Sequence, residues 1–190
     1  MSVRSKYHAT EEQMLSEQEM VEAAKKDSAK FEPLYKKYHE QIFRYIYQRL
    51  DDKELAFDAT SQVFLKALMN LYRYEFRGVP FSSWLYRIAY SEINNMFKER
   101  KAQRAVNIDT VNITDICEEL EEDDREAVQA ILIEAIGELK EGDLQLIEMR
   151  FFEKRAFKEI AEILDITENN AKVKTYRILD KLKKNIMQKL

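Results

Sequence analysis

The side chains with the clearest chemical potential are cations and amides gathered near the C-terminus. Seven basic residues and a single acid, Asp180, lie between Lys172 and Lys189, just after Asn169 and Asn170. Lysine neutralises phosphates, whereas asparagine and arginine form hydrogen bonds with base edges in the major groove. The pattern favours binding to duplex DNA. The alternative is a basic, solvated face on an ordinary bundle helix.

These side chains fall on the second of two predicted helices that are separated by a tight turn. The first helix carries an apolar stripe at i, i+3, i+4 and i+7, formed by Phe157, Ile160, Ala161 and Leu164. Asp165-Ile166-Thr167 interrupts the pattern, and Thr167 can cap the second helix through its side-chain oxygen. The second helix keeps its own inward stripe at Ala171, Ile178 and Leu182. This arrangement is typical of a DNA-reading helix-turn-helix, although such motifs also serve protein contacts.

A second candidate site combines aromatic and basic side chains over residues 72–81, followed by a predicted helix over 82–101. Rings interleaved with arginine capture single-stranded DNA, because bases stack on the rings while the cations hold the backbone. A pocket there can also hold a base swung out of the duplex. The alternative is that the rings plug a helix bundle, namely Tyr74, Phe76, Phe81 and Trp84. Trp84 falls on the inward stripe of its helix and is predicted to be core.

A third candidate is a polar row on the predicted helix that precedes this aromatic segment. Asp58, Gln62 and Lys66 are spaced by four residues, so they share one side of that helix. Such a row can form a docking face for a partner protein. A plain solvated face is the alternative.

Catalytic and metal-binding patterns are weak throughout the sequence. His8 and His39 are far apart, and Cys117 lies in an acidic strip. The chain has no glycine-rich phosphate loop, and the carboxylates of residues 118–124 lack the order of a calcium-binding loop. The chain is therefore predicted not to be an enzyme and to need no metal or other cofactor.

The net charge of −4 hides a strong segregation along the chain. Residues 1–104 carry a net charge of +3, residues 105–148 one of −12, and residues 149–190 one of +5. The two basic parts can still bind a polyanion, because the local field decides such binding. The run of like charges over 105–126 resists compaction and predicts a linker.

The totals predict long helices in a chain that stays in the cytoplasm. Only three glycines and two prolines occur, so helix breaks are few. No apolar run approaches the roughly 18 residues of a membrane span, and the N-terminus has no secretory core. Cys117 is the only cysteine, which excludes an internal disulfide and fits a reducing cytosol.

Capping residues and turn signals predict where the helices of the rest of the chain begin and end. A Ser-x-x-Glu capping box at Ser16 opens the first predicted helix, after a flexible stretch over 1–15. Counted from the N-terminus, the second predicted helix starts at Asp27 or Ser28. The fourth is capped by Ser82 or Ser83. The predicted helices before the helix-turn-helix cover residues 16–24, 27–50, 53–71, 82–104, 127–139 and 143–152.

Two separate segments resemble one family. The first runs from residue 31 to 104 and contains Phe76-Arg77-Gly78, the run WLYRIA over 84–89, and Asn94-Asn95. The second runs from residue 136 to 182 and contains KEIAEILDITENNAKVKTYRILDKLKK. In order and separation, both segments are similar to a bacterial RNA polymerase sigma factor of the extracytoplasmic-function (ECF) type in the sigma-70 family.

The resemblance implies an all-α fold with two small helical domains joined by the acidic linker over 105–126. A sigma region 2 helical bundle would span 16–104, and a sigma region 4 helix-turn-helix domain would span 127–190. It also implies a cytoplasmic protein without membrane insertion, whose partners are promoter DNA, the clamp helices and flap of core RNA polymerase, and an anti-sigma factor.

The resemblance further implies a role for each candidate residue. Core polymerase would bind the face formed by Asp58, Gln62 and Lys66. The melted −10 element would be captured by Arg73, Tyr74, Phe76, Arg77, Arg87, Asn94, Asn95, Lys98 and Arg100. The duplex −35 element would be read by Glu168, Asn169, Asn170, Lys172, Val173, Lys174, Tyr176 and Arg177.

Three positions depart from the family pattern. Leu139-Lys140 stands where Leu-Pro is usual, and Asp165 occupies the place of a turn glycine. Aspartate tolerates a left-handed conformation better than most residues, so the turn is expected to survive. Gly78-Val79-Pro80 replaces residues that are commonly small and polar, so the resemblance does not imply which −10 bases are preferred.

Two other functions are compatible with the helices alone. A conventional helix-turn-helix regulator would bind duplex DNA without polymerase and would not need the aromatic segment. A helical adaptor would bind proteins only, and the loss of Lys172, Lys174 and Arg177 would leave its activity intact.

Overall fold

The computed structural model describes residues 9–99, 110–120 and 126–189, with the side chains of 110 and 111 excepted. Within these residues every regular element is helical, which confirms the all-α prediction. The chain divides into two compact units. The N-terminal unit is built from the described residues up to 99 together with Glu162–Leu164, and the C-terminal unit from the other described residues after 109.

The N-terminal unit contains four α-helices among its described residues. They are α1 (Glu11–Lys26), α2 (Glu32–Leu50), α3 (Lys53–Asn70) and α4 (Phe81–Lys98). A 3₁₀ turn precedes α2, and a second one, Leu71–Arg73, follows α3. α3 packs between α2 and α4 around a core that includes Leu34, Ile42, Ile46, Val63, Leu85 and Ile93.

The first helix begins earlier than predicted. Thr10 caps α1 because its Oγ1 accepts from the backbone N–H of Gln13 at 3.2 Å, while the Gln13 side chain accepts from the Thr10 N–H at 2.9 Å. Thr10 and Gln13 have the same spacing as the box at Ser16, which lies inside the helix. The predicted flexible stretch is therefore wrong for residues 11–15, and residues 1–8 lie outside the described part.

The predicted limits of α2 and α3 agree closely with the structure. Asp27 and Asp52 cap the segments that follow them, and Pro33 lies in the opening turn of α2. α4 differs, because it begins at Phe81 and its predicted caps, Ser82 and Ser83, are buried in its first turn. Residues 100–104 of the predicted helix lie outside the described residues.

The C-terminal unit begins with a helix in the middle of the predicted linker. α5 (Thr110–Leu120) buries Ile113, Ile116, Cys117 and Leu120. Lys183 donates to the Leu120 carbonyl at 2.7 Å, and Lys154 pairs with Asp115. The expectation of an unstructured linker is therefore wrong for residues 110–120, since these apolar residues recur at helical spacing within the acidic strip.

The remaining helices of this unit lead to the helix-turn-helix. They are α6 (Glu126–Gly137), α7 (Glu141–Ile147) with a π-helical turn over Glu148–Phe152, α8 (Phe157–Leu164) and α9 (Glu168–Lys189). α9 packs against α5, α6 and α7. Helices are present at both predicted positions, 127–139 and 143–152, although the first ends at Gly137 and the second is π-helical from Glu148.

A buried hydroxyl on α9 allows a stability prediction. Thr175 is 1 % exposed, and its Oγ1 has no hydrogen-bond partner among the described residues. Thr175→Val removes this unsatisfied group at nearly constant shape, so we expect the free energy of unfolding to rise by about 1 kcal/mol. Urea denaturation followed by circular dichroism measures the change.

Thr60 provides the matched control for that substitution. It is also buried in a helix, but its Oγ1 donates to the Ala56 carbonyl at 2.7 Å. Thr60→Val loses this bond and is expected to be neutral or destabilising. Equal effects at the two positions would contradict the explanation.

Candidate nucleic-acid interface

The turn between α8 and α9 has the geometry that the sequence predicts. Asp165 ends α8 in the left-handed conformation, with φ 56° and ψ 48°. The N–H of Ile166 donates to the Ala161 carbonyl at 3.0 Å and closes the turn. Thr167 Oγ1 then accepts from the N–H of Asn170 at 3.2 Å, as a cap for α9. The helix-turn-helix prediction is confirmed at the level of local structure.

The first ten residues of α9 separate an inward stripe from an outward face. Ala171 and Thr175 are buried, and the stripe continues at Ile178 and Leu182. The predicted −35 residues lie outside this stripe: Glu168, Asn169, Lys172, Val173, Lys174, Tyr176 and Arg177 are exposed, and Asn170 is half-buried. The structure therefore brings all eight together on a single helical segment.

Several of these outward side chains have partners on their own unit. Lys172 pairs with Glu168 at 2.8 Å, one helical turn away. The Tyr176 ring lies 6.4 Å from that of Phe157. Exposed pairs of this kind contribute little to stability, so the cations remain available to phosphates. An α-helix with such a face fits the major groove of duplex DNA.

The second site is the segment of residues 71–80, which we call the aromatic loop. Its buried ring is Tyr74, whose centroid lies 5.0 Å from that of Phe81 and 5.2 Å from that of Trp84. Burial raises the pKa of Tyr74 well above its usual value, and the Glu17 carboxylate adds to the effect. The enclosed ring offers no face to a base, so the prediction that Tyr74 contacts DNA does not fit the structure.

The exposed ring of the aromatic loop belongs to Tyr72, two residues before Tyr74. This side chain is 66 % exposed, and the Arg73 guanidinium carbon lies 5.2 Å from the ring centroid. A cation above an exposed ring can hold a phosphate while the ring stacks on a base. Tyr72 belongs to the aromatic segment that the sequence predicts. Periodicity alone does not show, however, that the Tyr72 ring faces solvent while the Tyr74 ring is buried.

The rest of the aromatic loop mixes exposed cations with an anchored backbone. Arg73 and Arg77 are exposed and Phe76 is half-buried. Gly78 has φ 69°, a left-handed conformation that favours glycine, and Val79 and Pro80 are buried. The loop is thereby fixed at its end while its arginines reach solvent.

One side of α4 continues this polar surface. Asn95 and Lys98 are exposed, and Arg87 and Asn94 are partly exposed. The opposite side buries Leu85, Ala89 and Ile93. Arg100, the last predicted −10 residue, lies outside the described residues. The other predicted residues of α4 therefore share a solvent-facing side.

An open cleft of about 440 Å³ lies between α3 and α4. Its lining consists of Lys66, Asn70, Trp84, Arg87, Ile88, Ser91 and Glu92. Sites of a few hundred cubic ångströms hold small ligands, and a nucleobase is smaller than most. Trp84 is half-buried. It contacts Phe81, with 5.5 Å between the ring centroids, and it also lines the cleft.

The third predicted site is exposed on α3 and has apolar neighbours. Asp58, Gln62 and Lys66 all face solvent, and Lys66 pairs with Glu92 of α4. Three large apolar side chains beside this row are also exposed: Phe57 (45 %), Leu65 (49 %) and Met69 (65 %). Leu65 and Met69 are one helical turn apart, and exposed apolar side chains next to one another favour an interaction surface over a plain solvated face.

Two features are absent from the part of the chain that the structure describes. No group of three or more histidine, cysteine, aspartate or glutamate side chains could hold a metal ion there. Among the described helices, none combines the length and the apolar character that crossing a membrane requires.

Two family descriptions match the chain, one in each unit. Sigma-70 region 2 matches residues 34–103, and Sigma-70 region 4 matches residues 129–182. Together these stretches make up about two thirds of the chain. They contain α2 to α4 and the helix-turn-helix, which hold the described residues of the three predicted sites.

Several curated proteins are similar over most of the chain. The ECF RNA polymerase sigma factor BldN of Streptomyces coelicolor is 29 % identical over 84 % of this chain, which spans 61 % of BldN. The RNA polymerase sigma factor YlaC of Bacillus subtilis is 28 % identical over 82 % of this chain and 91 % of YlaC. The ECF sigma factor SigM of the same organism is 20 % identical over 79 % of this chain.

A solved structure shares the fold. CnrH, in complex with the cytosolic domain of CnrY, superposes with a TM-score of 0.60 at 16 % identity, over 88 % of this chain and 94 % of CnrH. Both family matches and the curated relatives agree on one assignment. The chain belongs to the sigma-70 family of RNA polymerase sigma factors, in the extracytoplasmic-function group.

Proposed function

We propose that the chain binds core RNA polymerase and directs it to promoters by reading the −35 duplex and the melted −10 strand. Sigma factors are initiation factors without an enzymatic activity of their own. The observation that carries the proposal is the presence of two cationic surfaces with different chemistry. One is a helix with exposed amides, and the other is a loop with an exposed ring.

The −35 element is assigned to the outward face of α9. Lys172 and Lys174 neutralise phosphates, whereas Asn169 and Arg177 are placed to contact base edges. The inward stripe at Ala171 and Thr175 keeps these side chains on one side of a rigid helix.

The melted −10 strand is assigned to the aromatic loop and α4. Tyr72 replaces Tyr74 as the stacking platform, because its ring is the exposed one. Arg73, Arg77 and Arg87 hold the strand's phosphates, and the cleft beside Trp84 is large enough for an unstacked base.

Core polymerase is assigned to the face of α3 that carries Asp58, Gln62 and Lys66. Leu65 lies within this face and is 49 % exposed. Leu65→Glu places a charge in the interface, so we expect affinity for core polymerase to fall at least tenfold. Titration of labelled protein with purified core polymerase measures the change.

Ile133 supplies the control for this substitution. It is 45 % exposed on α6, in the other unit. Ile133→Glu should bind core polymerase like the unchanged protein. A comparable loss in both variants would show that the face on α3 is not the contact.

The deciding experiment is run-off transcription with core polymerase on a library of genomic promoters. We expect transcripts that start at defined sites and that depend on the added protein. Core polymerase that starts no better with the protein than without it would refute the proposal. Tight duplex binding in the absence of polymerase would instead favour a conventional helix-turn-helix regulator.

A regulatory protein partner is also proposed. CnrH, whose fold this chain shares, was solved in complex with the cytosolic domain of CnrY. An anti-sigma partner that covers the apolar residues on α3 would compete with core polymerase. Co-purification from the native host, followed by displacement with excess core polymerase, tests this competition.

A further inference from the structure

Glu17, a carboxylate of α1, is almost fully buried in the N-terminal unit. Only 4 % of this residue is exposed. α1 precedes residues 34–103, which match Sigma-70 region 2. Burying a carboxylate is costly unless hydrogen-bond donors surround it. The donors around Glu17 therefore indicate what the position does.

The two carboxylate oxygens of Glu17 contact different elements. Oε2 accepts from the backbone N–H of Phe81 at 2.6 Å, and Phe81 is the first residue of α4. Oε1 accepts from Lys37 Nζ at 2.8 Å and from the Tyr38 hydroxyl. Pro80, at the N-cap position of α4, provides no side-chain cap. A carboxylate here satisfies an orphan N–H and interacts favourably with the helix dipole.

A second residue of α1 contacts the middle of the aromatic loop. Lys25 Nζ donates to the Tyr74 carbonyl at 2.8 Å and lies 5.9 Å from the centroid of the Tyr74 ring. α1 thus contacts the aromatic loop at Tyr74 through Lys25, and the first residue of α4, Phe81, through Glu17. In the sequence, Arg77 lies between Tyr74 and Phe81, the two residues that α1 contacts.

We propose that Glu17 and Lys25 are positioning residues for single-strand capture. They hold the aromatic loop and the start of α4 together on α1, so that the exposed ring of Tyr72 and the arginines present one fixed surface to unstacked bases. The strand then meets a pre-organised site and does not have to order the loop itself. This inference rests on the proposed function, since it assigns α1 a role in the same −10 site.

Glu17→Gln tests the inference with little change of shape. A neutral amide has one acceptor oxygen, so its NH₂ group must face either the Phe81 N–H or the donors Lys37 and Tyr38. In holoenzyme assembled from the full-length variant, we expect about tenfold weaker binding of a fluorescent single-stranded oligonucleotide. The oligonucleotide copies the non-template −10 strand of a promoter recovered by run-off selection. Affinity for core polymerase should stay within twofold.

Two further variants separate positioning from folding. Lys25→Met removes the loop contact without touching α4, and it should weaken strand binding in the same direction. Glu19→Gln makes the same chemical change on an exposed part of α1 and should match the unchanged protein. Hydrogen exchange in free protein should be faster over residues 74–81 in the Glu17 and Lys25 variants only.

Each remaining outcome counts against the inference. Unchanged strand binding in both Glu17→Gln and Lys25→Met would overturn it. Equal losses of strand and core-polymerase affinity would show a general folding defect and would also overturn it. If the unchanged holoenzyme binds no −10 strand, the proposed function itself fails and the inference fails with it. Faster exchange in the variants would then report on loop anchoring alone.

Discussion

Alanine at Lys172, Lys174 and Arg177 will weaken binding of the holoenzyme to duplex promoter DNA by about 100- to 1,000-fold, because one base contact and two phosphate contacts together supply roughly 3–4 kcal/mol. All three side chains are exposed on the outward face of α9. The slope of log affinity against log salt should become shallower by about 2, since each lost phosphate contact contributes roughly 0.9. Fluorescence anisotropy at several salt concentrations measures both effects.

The far half of α9 provides the control for charge alone. Lys181, Lys184 and Lys189 are exposed on the same helix but lie beyond the first three turns. Their replacement by alanine removes the same number of charges and should reduce affinity less than about fivefold at moderate salt. If both triple variants lost affinity equally, binding would reflect net charge, and the assignment of the recognition face would be wrong.

Alanine at Tyr72 and Arg73 will slow promoter opening by about 10- to 100-fold, because a stacked base contributes roughly 1–3 kcal/mol and the cation adds to it. Tyr72 is the most exposed ring of the aromatic loop. Permanganate reactivity of unpaired thymines over time measures the rate of opening. The −35 contacts are unchanged in this variant, so the initial duplex affinity should stay within twofold.

Two controls isolate strand capture from other effects. The conservative pair Tyr72→Phe and Arg73→Lys keeps a ring and a charge and should open the promoter nearly normally. A template that is already unpaired over the −10 region should restore most of the activity of the alanine variant, since strand separation no longer has to be driven. A loss that persists in full on this template would argue against a role in opening.

The helix-turn-helix was predictable because its signals are local. The apolar stripe of α8, the break at Asp165 and the cap at Thr167 lie within 11 residues and need no distant partner. The same is true of the cap at Asp27, which the sequence predicts as one of two possible start signals. A helix end that is determined by residues close to it in sequence can be predicted from the sequence alone.

The start of α4 is predicted to within one residue, but its cap is not predictable from local sequence because it comes from elsewhere in the chain. Glu17 accepts from the Phe81 N–H across 64 residues, whereas Ser82 and Ser83, the predicted caps, are buried in the first turn. Tyr72 and Tyr74 pose the same difficulty, since only packing against Phe81 and Trp84 decides which ring is enclosed. Sequence patterns identify this segment, but tertiary packing determines which of its side chains are exposed and able to contact a ligand.

α5 was missed for a different reason. The like charges of the acidic strip predict an extended tether, because their repulsion opposes compaction. Ile113, Ile116, Cys117 and Leu120 nevertheless form a stripe that packs into the C-terminal unit. A short amphipathic helix can persist in an acidic strip, because its charges face solvent while its apolar side is covered.

The continuity of α9 separates the face that we propose reads the −35 element from the part of the helix that packs in the core. Its 22 residues form a rod of about 33 Å, with outward side chains near Glu168 and packed ones such as Leu182 and Ile186 farther along. Substitutions at Asn169 or Arg177 touch no packed side chain of the far half, so their effect on thermal stability should be small. On the proposed −35 assignment, the target site could therefore be changed by substitutions on this face without refolding the scaffold, which offers a designer a route to retarget the protein.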